Sequence, residues 1–502
     1  MNRTKIFVHN ALTTALLQVF TMISGFILPR IMIGVYGSEI NGIVTSIVQF
    51  ISCFNLVEAG ISAAATYSLY KPIAERNTKV INGIIVAAKN FYNKTGFIFV
   101  ALTVGLAVIY PWIIHTAMLS PLEIGILVLT LGINGALEFF TLAKYRALLA
   151  ADQKTYVISL ASIVAILFNI GIFAGAALSG MSVVVAKFLA TFSIFVRTIL
   201  LWEYCRHHYK FLDYHETPIP EALNRRWDAL YLQILGVVHT SAPMILATFL
   251  TDLKMLSVFA IYNLVAVGLQ GVLGVFISGL SATFGDIIAR KELGTLQRAE
   301  SQFELAYYLL IAGTYGVAML FIAPFVVLYT MGVHDANYNQ PLLGFLLMLN
   351  GLLYNIKTPQ GMLVISAGLY RETRWQTTTQ GLIEIIAGAA LGYIWGIWGI
   401  LVGMILSNIY RDIDLPFFIS KHVTKVSPWI SFKRMTYIAV ITVAIYAVQW
   451  FVPIEPSSFI VWTLELIAVM VYAVIITAIV AYAMEPETSR ALLGRFRNLR
   501  RK

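Results

Sequence analysis

Glu58, Glu138, Lys357 and Glu384 fall inside long apolar stretches of a 502-residue chain. A charge at the centre of a lipid bilayer costs about 2.5 to 3.5 kcal/mol even on insertion scales that allow snorkelling, so each of these groups needs water, a hydrogen bond or a counter-charge. Residues of this kind suit proton or cation coupling, contact with a charged substrate, or a structural hydrogen bond between helices. At helical spacing Glu138 shares a face with Asn134, Thr141 and Tyr145, and Glu384 shares one with Thr377, Gln380 and Gly388. Lys357 lies with Asn350, Tyr354 and Gly361, beside Pro359, which removes a helical hydrogen bond and is expected to bend the helix. Pairing with a carboxylate such as Glu384 and binding of an anion are both open to Lys357, and for the glutamates a structural hydrogen bond stands beside cation coupling and substrate contact. Lys187 and Arg197 lie close enough to the ends of their stretches to snorkel.

Uncharged polar residues form longer stripes. At 100° per residue, Asn10, Thr13, Thr14, Gln18, Thr21, Ser24 and Gly25 fall within an arc of about 140°. Asn41, Thr45, Gln49, Ser52, Asn55, Ser62 and Thr66 repeat the pattern in the next stretch, with Glu58 at the edge, and Asn263, Gln270, Gly274, Ser278 and Ser281 form a third. Lipid satisfies none of these groups, so they face other helices or a hydrated cavity. The first two stripes run nearly the full length of their stretches, which favours a cavity. Its candidate lining is Asn10, Gln18, Arg30, Asn41, Gln49, Asn55, Glu58, Glu138, Lys357 and Glu384. In a straight helix Arg30 points away from the first stripe, although Pro29 can turn it.

Bond-making chemistry has no recognisable machinery here. A Walker-type phosphate loop, a dinucleotide fingerprint, a zinc-binding HExxH and a nucleophile elbow are all missing, so neither ATP hydrolysis nor another enzymatic activity is expected. His207 and His208 lack nearby partners at ligand spacing and read as solvated, so no metal or cofactor is expected. Gly171 with Gly175, and Gly392 with Gly396, have the spacing of close helix packing. Cys53 inside a stretch and Cys205 near a polar gap are too far apart in depth to pair.

The elements that must carry these residues are transmembrane helices. The chain is 59% hydrophobic and 12% charged, with mean hydropathy +0.79, whereas a soluble domain carries about 25% charged residues. Segments long enough for a hydrocarbon core of roughly 30 Å number about fourteen. They lie near 6–29, 41–67, 91–113, 122–146, 156–178, 181–202, 229–250, 255–283, 305–330, 341–366, 377–395, 398–418, 436–453 and 458–484. Lys and Arg crowd every second gap, including Lys71, Arg76 and Lys79, then Lys144, Arg146 and Lys154, then Arg206, Lys210, Arg225 and Arg226, and later Lys433 and Arg434. The alternate gaps hold Lys254 with Glu39, Glu123, Asp335 and Glu455. Positive residues resist translocation, so the basic gaps and both termini are expected in the cytoplasm. The net charge of +10 is scattered over these gaps and reads as orientation and contact with membrane lipids, not as a nucleic-acid surface. Met1 to Arg30 reads as the first span and not as a removable signal.

The long polar gap divides the chain. The expected organisation is an N-terminal six-helix lobe (1–203), a cytoplasmic connector (204–228), a C-terminal six-helix lobe (229–420), and two last helices with a basic cytoplasmic tail (421–502). Gln18 and Gln233 fall at similar depths, and Pro29 and Pro243 follow at nearly the same distance, a weak repeat of the kind found in alternating-access transporters. The fold class is thus an all-α polytopic membrane protein, two six-helix lobes around a central cavity plus two C-terminal helices.

The stretch LPRIMIGVYGSEINGIVTSIVQFISCFNLVEAGISAAATYSLYKPIAERN, from Leu28 to Asn77, followed by INGIIVAAKNFYNKTGFIF, resembles the bacterial polysaccharide transporter family. That family holds O-antigen, capsule and teichuronic acid flippases within the multidrug/oligosaccharidyl-lipid/polysaccharide (MOP) superfamily. The resemblance is carried by about the first hundred residues; the remainder agrees in span count and basic-gap rhythm. It implies fourteen helices in a V-shaped pair of lobes in the bacterial plasma membrane. It also implies a substrate of oligosaccharide on undecaprenyl diphosphate, moved from inner to outer leaflet and coupled to a gradient of H+ or Na+. Glycosyltransferases and a glycan polymerase of the same pathway are the implied partners. The family's cationic cavity for the diphosphate finds only Lys357 and Arg30 as matching cations here, the first-half cavity being more polar than cationic. Two other readings are a cation-coupled drug or metabolite antiporter of the same superfamily, using Glu58, Glu138 or Glu384, and a membrane glycan polymerase or ligase. The latter normally needs a sizeable outer loop, and the longest candidate, about Met331 to Pro341, is small.

Overall fold

Apolar runs of this length satisfy their backbone polar groups internally only as helices, and the computed structural model is helical throughout, with no strand among the described residues. It describes residues 3–58, 61–223, 226–277, 280–451, 453–490 and 494. Arg225, Ser278 and nearly all of the basic tail lie outside the described residues, as do the side chains of Arg3, Lys5, Arg226 and Gln233. The helices are α1 (Arg3–Val35), α2 (Ser38–Phe54), α3 (Ile61–Ala74), α4 (Thr78–Ile113), α5 (Pro121–Leu137), α6 (Ala143–Ala151), α7 (Thr155–Leu178), α8 (Val183–Thr191), α9 (Ser193–His208) and α10 (Arg226–Leu250). They continue as α11 (Leu253–Ile277), α12 (Leu280–Ala289), α13 (Leu293–Tyr329), α14 (Pro341–Ile356), α15 (Thr358–Ser366), α16 (Arg374–Trp395), α17 (Ile397–Ile419), α18 (Trp429–Tyr446) and α19 (Phe459–Met484).

Each stretch expected to cross a membrane is built mainly of helix, several in two pieces, and among the described residues 10 helical stretches are long and apolar enough to cross by length and composition. The stretch holding α14 and α15 is broken at Lys357, and α17 carries Arg411, Asp412 and Asp414. Sequence-local signals start the helices where expected. Ser120 and Glu123 form a capping box, Ser120 N–H donating to Glu123 Oε2 at 2.8 Å and Glu123 N–H to Ser120 Oγ at 3.3 Å, with Pro121 opening α5. Asn77, Ser182 and Ser458 cap α4, α8 and α19 more simply, each side-chain oxygen accepting from a backbone N–H three residues on.

Packing divides the chain into residues 1–257 and 258–502. The sequence divides it at the 204–228 gap; the structural boundary lies later, inside α11, and α10 packs on α2 in the first unit. In that unit α1 lies on α7 and α4 on α5, over a core that includes Ile43, Ile47, Phe99, Leu127 and Ala186. Gly42 makes α2 able to approach α11, since a Cβ there would sit 2.0 Å from the Leu253 carbonyl oxygen.

In the second unit α16 and α17 form a hairpin closed by Gly396 alone, at φ +59°. The two helices are close enough that a Cβ on Gly403 would meet Gly388 N at 2.4 Å. Helices α14, α18 and α19 pack on α13. The last two helices are joined to it by Arg434, which the sequence places in a basic gap and the structure places in the interior, 2% exposed. Its Nη1 donates to Glu304 Oε2 at 2.7 Å and its Nη2 to Ser301 Oγ at 2.7 Å, while Nε and Nη2 grip Glu485 at 2.9 and 2.8 Å. Glu304 also accepts from Ser431 Oγ at 2.5 Å and from Gln360 Nε2.

Removing one partner of a buried, hydrogen-bonded charge network leaves the other uncompensated, so Arg434→Met should destabilise the protein by about 3 to 5 kcal/mol, read as a lower melting temperature. Acid should remove part of the same stabilisation. Burial raises the Glu485 carboxyl, but the Arg434 hydrogen bonds and charge outweigh it and leave it below its ordinary value. Its contribution is therefore complete above the ordinary glutamate value of about 4.3 and is lost as pH falls through the depressed one. The melting advantage of wild type over Glu485→Gln should hold at neutral pH and shrink below about pH 4; a pH-independent advantage would contradict this assignment.

Candidate functional site

Each unit holds a polar cluster within its apolar helices. In the first, the α5 helix widens into a π-helical turn at Glu138–Leu142 before α6. Such a turn re-aims side chains and is frequent at functional positions. Glu138 there pairs with Arg146 of α6 and lies 3.6 Å from Arg197 Nη2 of α9. Next to it Thr198 Oγ1 donates to Thr141 Oγ1 at 3.1 Å. Glu58 ends the 3-10 turn Asn55–Glu58 between α2 and α3, half-buried, and feels the charges of Arg146 and Glu138. The structure thus brings Glu58 and Glu138 together and adds two guanidinium groups.

Those two arginines were not expected. Arg146 reads from the sequence as a basic-gap residue and Arg197 as a snorkelling one, and in the structure both half-buried guanidinium groups lie against Glu138. Lys187 likewise keeps its ammonium 4.4 Å from the centre of the Phe173 ring.

The first two stripes resolve differently along their length. Asn10 is used between helices: its Nδ2 donates to the Gln153 carbonyl at 2.7 Å and its Oδ1 accepts from Tyr156 N–H at 2.9 Å, fastening α1 to the start of α7. Asn41 is buried and donates to Ser257 Oγ at 2.8 Å, a bond between helices. Thr13, Thr21 and Ser52 return their hydroxyl hydrogens to carbonyls one turn back in their own helices. Gln18 and Asn55 are exposed, Gln49 and Arg30 half-buried, and the Arg30 guanidinium runs along its own helix beside Gly34.

The second unit's cluster is centred on Lys357. Pro359 cannot continue the hydrogen-bond ladder, and the helix breaks there, α14 ending at Ile356 and α15 starting at Thr358. At the break the Lys357 ammonium donates to Asn408 Oδ1 at 2.7 Å and lies 4.5 Å from the centre of the Tyr354 ring. Asn408 Nδ2 donates in turn to Asn350 Oδ1 at 2.9 Å, and Gln380 Nε2 reaches Asn408 Oδ1 at 3.3 Å. The carboxylates of Asp412 and Glu384 also act on the Lys357 ammonium through their charge. Glu384 is 2% exposed, and neither oxygen of the buried Asp412 has a hydrogen-bond partner.

The neutral Asn408 is a direct partner of Lys357. Asn408 and Asp412 of α17 are site residues that the sequence reading missed, although Asn408, Arg411, Asp412 and Asp414 within one apolar helix were a visible signal. Their i, i+4 spacing puts Asn408 and Asp412 on one face, while Arg411 bonds Asp414 and, at 3.4 Å, Thr377. Chemically, the arrangement holds a cation in an apolar interior with acceptors that neutralise it only in part, which suits binding and release of an anion or coupling to a small cation. Among the described residues no three His, Cys, Asp or Glu side chains are grouped so as to hold a metal ion.

No family model matches the chain, and no curated protein matches it. Solved structures do. The lipid II flippase MurJ in an inward closed conformation shares 13% identity, covering 93% of this chain and 98% of that one at a TM-score of 0.68. An inward-facing multidrug resistance MATE family transporter of the MOP superfamily shares 13%, covering 84% and 95% at 0.61. A MOP superfamily transporter from Pyrococcus furiosus, described as having a binding pocket of reverse polarity, shares 14%, covering 83% and 96% at 0.62. At these identities the likeness is one of fold. The chain has the all-helical, polytopic fold of the MurJ and MATE structures and is a multi-pass membrane protein.

The Lys357 cluster makes a test of its own. Lys357→Met removes the cation whose charge Asp412 feels, and Asp412→Asn removes the other half of that interaction, so the two changes should not add. The double variant should melt above the sum of the single losses by a coupling of about 0.5 to 3 kcal/mol; strictly additive losses would show that Lys357 and Asp412 do not interact.

Proposed function

We propose that this chain is a flippase that carries an oligosaccharide linked to undecaprenyl diphosphate from the inner to the outer leaflet of a bacterial plasma membrane, with both termini in the cytoplasm. The observation that carries the reading is Lys357, an intramembrane cation at a helix break whose direct partner is the neutral Asn408. An ammonium so held keeps its charge available to an anionic head group that would otherwise cross the apolar layer alone. Helix breaks at membrane depth are also where transporters build substrate sites. The fold shared with the MurJ flippase and the resemblance of Leu28 to Asn77 to polysaccharide transporters support the same substrate class.

No covalent chemistry is needed. Flipping requires a polar path for the head group while the polyprenyl tail stays in lipid, and two arrangements whose populations are shifted by ligand or by an H+ or Na+ gradient. A second reading, a cation-coupled antiporter, is favoured by the buried Asp412, whose carboxylate has no hydrogen bond. Glu138 suits it less, because two arginines already flank it.

In a deletion strain the lipid-linked oligosaccharide should accumulate on the inner leaflet, inaccessible to a non-penetrating lectin, and surface glycan should be lost. An intermediate that reaches the outer leaflet at the normal rate would overturn the flippase reading and point to a later polymerase or ligase step. Export of a fluorescent cation that disappears on Asp412→Asn would favour the antiporter.

A further inference from the structure

Away from the Lys357 cluster, the first unit holds two lysines against one aromatic ring. Lys89 of α4 has its ammonium 5.3 Å from the centre of the Tyr214 ring, and Lys144 of α6 lies 5.0 Å from the same centre and 5.0 Å from that of Tyr145. Tyr214 belongs to the stretch after α9, which is fastened to this unit at three points. Tyr209 OH donates to Asp152 Oδ2 at 2.5 Å, Asn82 Nδ2 to the Phe211 carbonyl at 2.9 Å, and Ile219 N–H to the Gly83 carbonyl at 3.1 Å. Leu212 and Tyr214 themselves pack on the core of Leu69, Ile85 and Leu201. The ring is therefore a fixed platform.

Both lysines are half-buried, and the charge of Lys89 is felt by Lys144. Among the described residues neither ammonium has a carboxylate within ion-pair distance. Their neighbour Arg146 is committed to Glu138, and Lys154 to Asp152 at 2.8 Å. Cation–π contact offsets little of this repulsion, about 0.5 to 1 kcal/mol at exposed sites. Two partly desolvated ammonium groups next to one ring, each feeling the other's charge, gain from an anion with several acceptor oxygens, and phosphate is the group that lysine binds as a point charge.

We propose that Lys89 and Lys144, on the Tyr214 platform, bind the phosphate of a lipid head group. The basic-gap rhythm puts Lys144 on the expected cytoplasmic side, where a substrate assembled in the inner leaflet would first be met. That the lipid is the undecaprenyl diphosphate carrier rests on the proposed function; the phosphate site itself does not.

The test uses the full-length protein in phosphatidylcholine nanodiscs, with binding counted by native mass spectrometry. Undecaprenyl diphosphate, phosphatidylglycerol and inorganic pyrophosphate are titrated separately against wild type, Lys89→Gln, Lys144→Gln and the Lys89→Arg/Lys144→Arg double variant. Each Gln variant should weaken undecaprenyl diphosphate binding about tenfold, a change of about 1.4 kcal/mol, while the Arg pair stays within about threefold of wild type. The same losses for phosphatidylglycerol, with no preference for the diphosphate lipid, would uphold the phosphate site and overturn its assignment to the carrier. Losses confined to pyrophosphate would overturn the lipid head group in favour of free phosphate. Wild-type affinity of both Gln variants in all three titrations would overturn the site. A protein that binds with the expected pattern but leaves lipid-linked glycan distribution unchanged in cells would overturn the flippase reading and leave the site standing.

Discussion

An uncompensated charge in an apolar layer is expensive, and the architecture of this chain can be read as a set of answers to that cost. Arg434 is answered by Glu304 and Glu485 with near-complete use of its donors, and the result is rigid: two helices and the end of a third meet at one guanidinium. Glu138 is answered by two arginines. Lys357 is answered by an amide oxygen, with two carboxylates acting on it through their charge. Saturated networks hold helices together; the unsaturated one is the place where a ligand's charge has something to gain.

Irregular backbone marks the same places. Glu58 ends a 3-10 turn, Glu138 opens a π-helical turn, and Lys357 sits where α14 gives way to α15. A regular helix in lipid spends its backbone groups on itself, so departures from it are tolerated only where protein or water covers them. Polar side chains at those departures have a surrounding that the rest of the span lacks. By contrast, residues in regular helix, such as Asn41, are used in packing bonds between helices.

Much of this was legible in the residues. Hydropathy and the basic gaps marked every helical stretch, because span length and charge placement are local properties. Pro359 announced the break at Lys357 for an equally local reason. The partners were harder to see. Asn408 and Asp412 come from a helix about fifty residues after Lys357, and no spacing rule connects them. Arg434 and Arg197 were misplaced because a basic residue near a helix end reads as facing water, and only the fold reveals that Glu304 and Glu138 are closer. Asn10 matched a cavity stripe by angle, yet the turn before α7 lies beside it and takes both ends of its amide. The division after Ser257 likewise depends on α10 lying against α2, which the long polar gap conceals.

The claim on which the functional account turns is that Lys357 keeps its charge for an anionic head group. Purified protein in proteoliposomes loaded with an undecaprenyl-diphosphate oligosaccharide tests it directly, by the rate at which the sugar becomes accessible to an external hydrolase. Wild type and Lys357→Arg should flip the lipid, and Lys357→Ala should slow it at least tenfold when rates are compared at equal amounts of folded, reconstituted protein. Equal rates for wild type and Lys357→Ala would contradict the account.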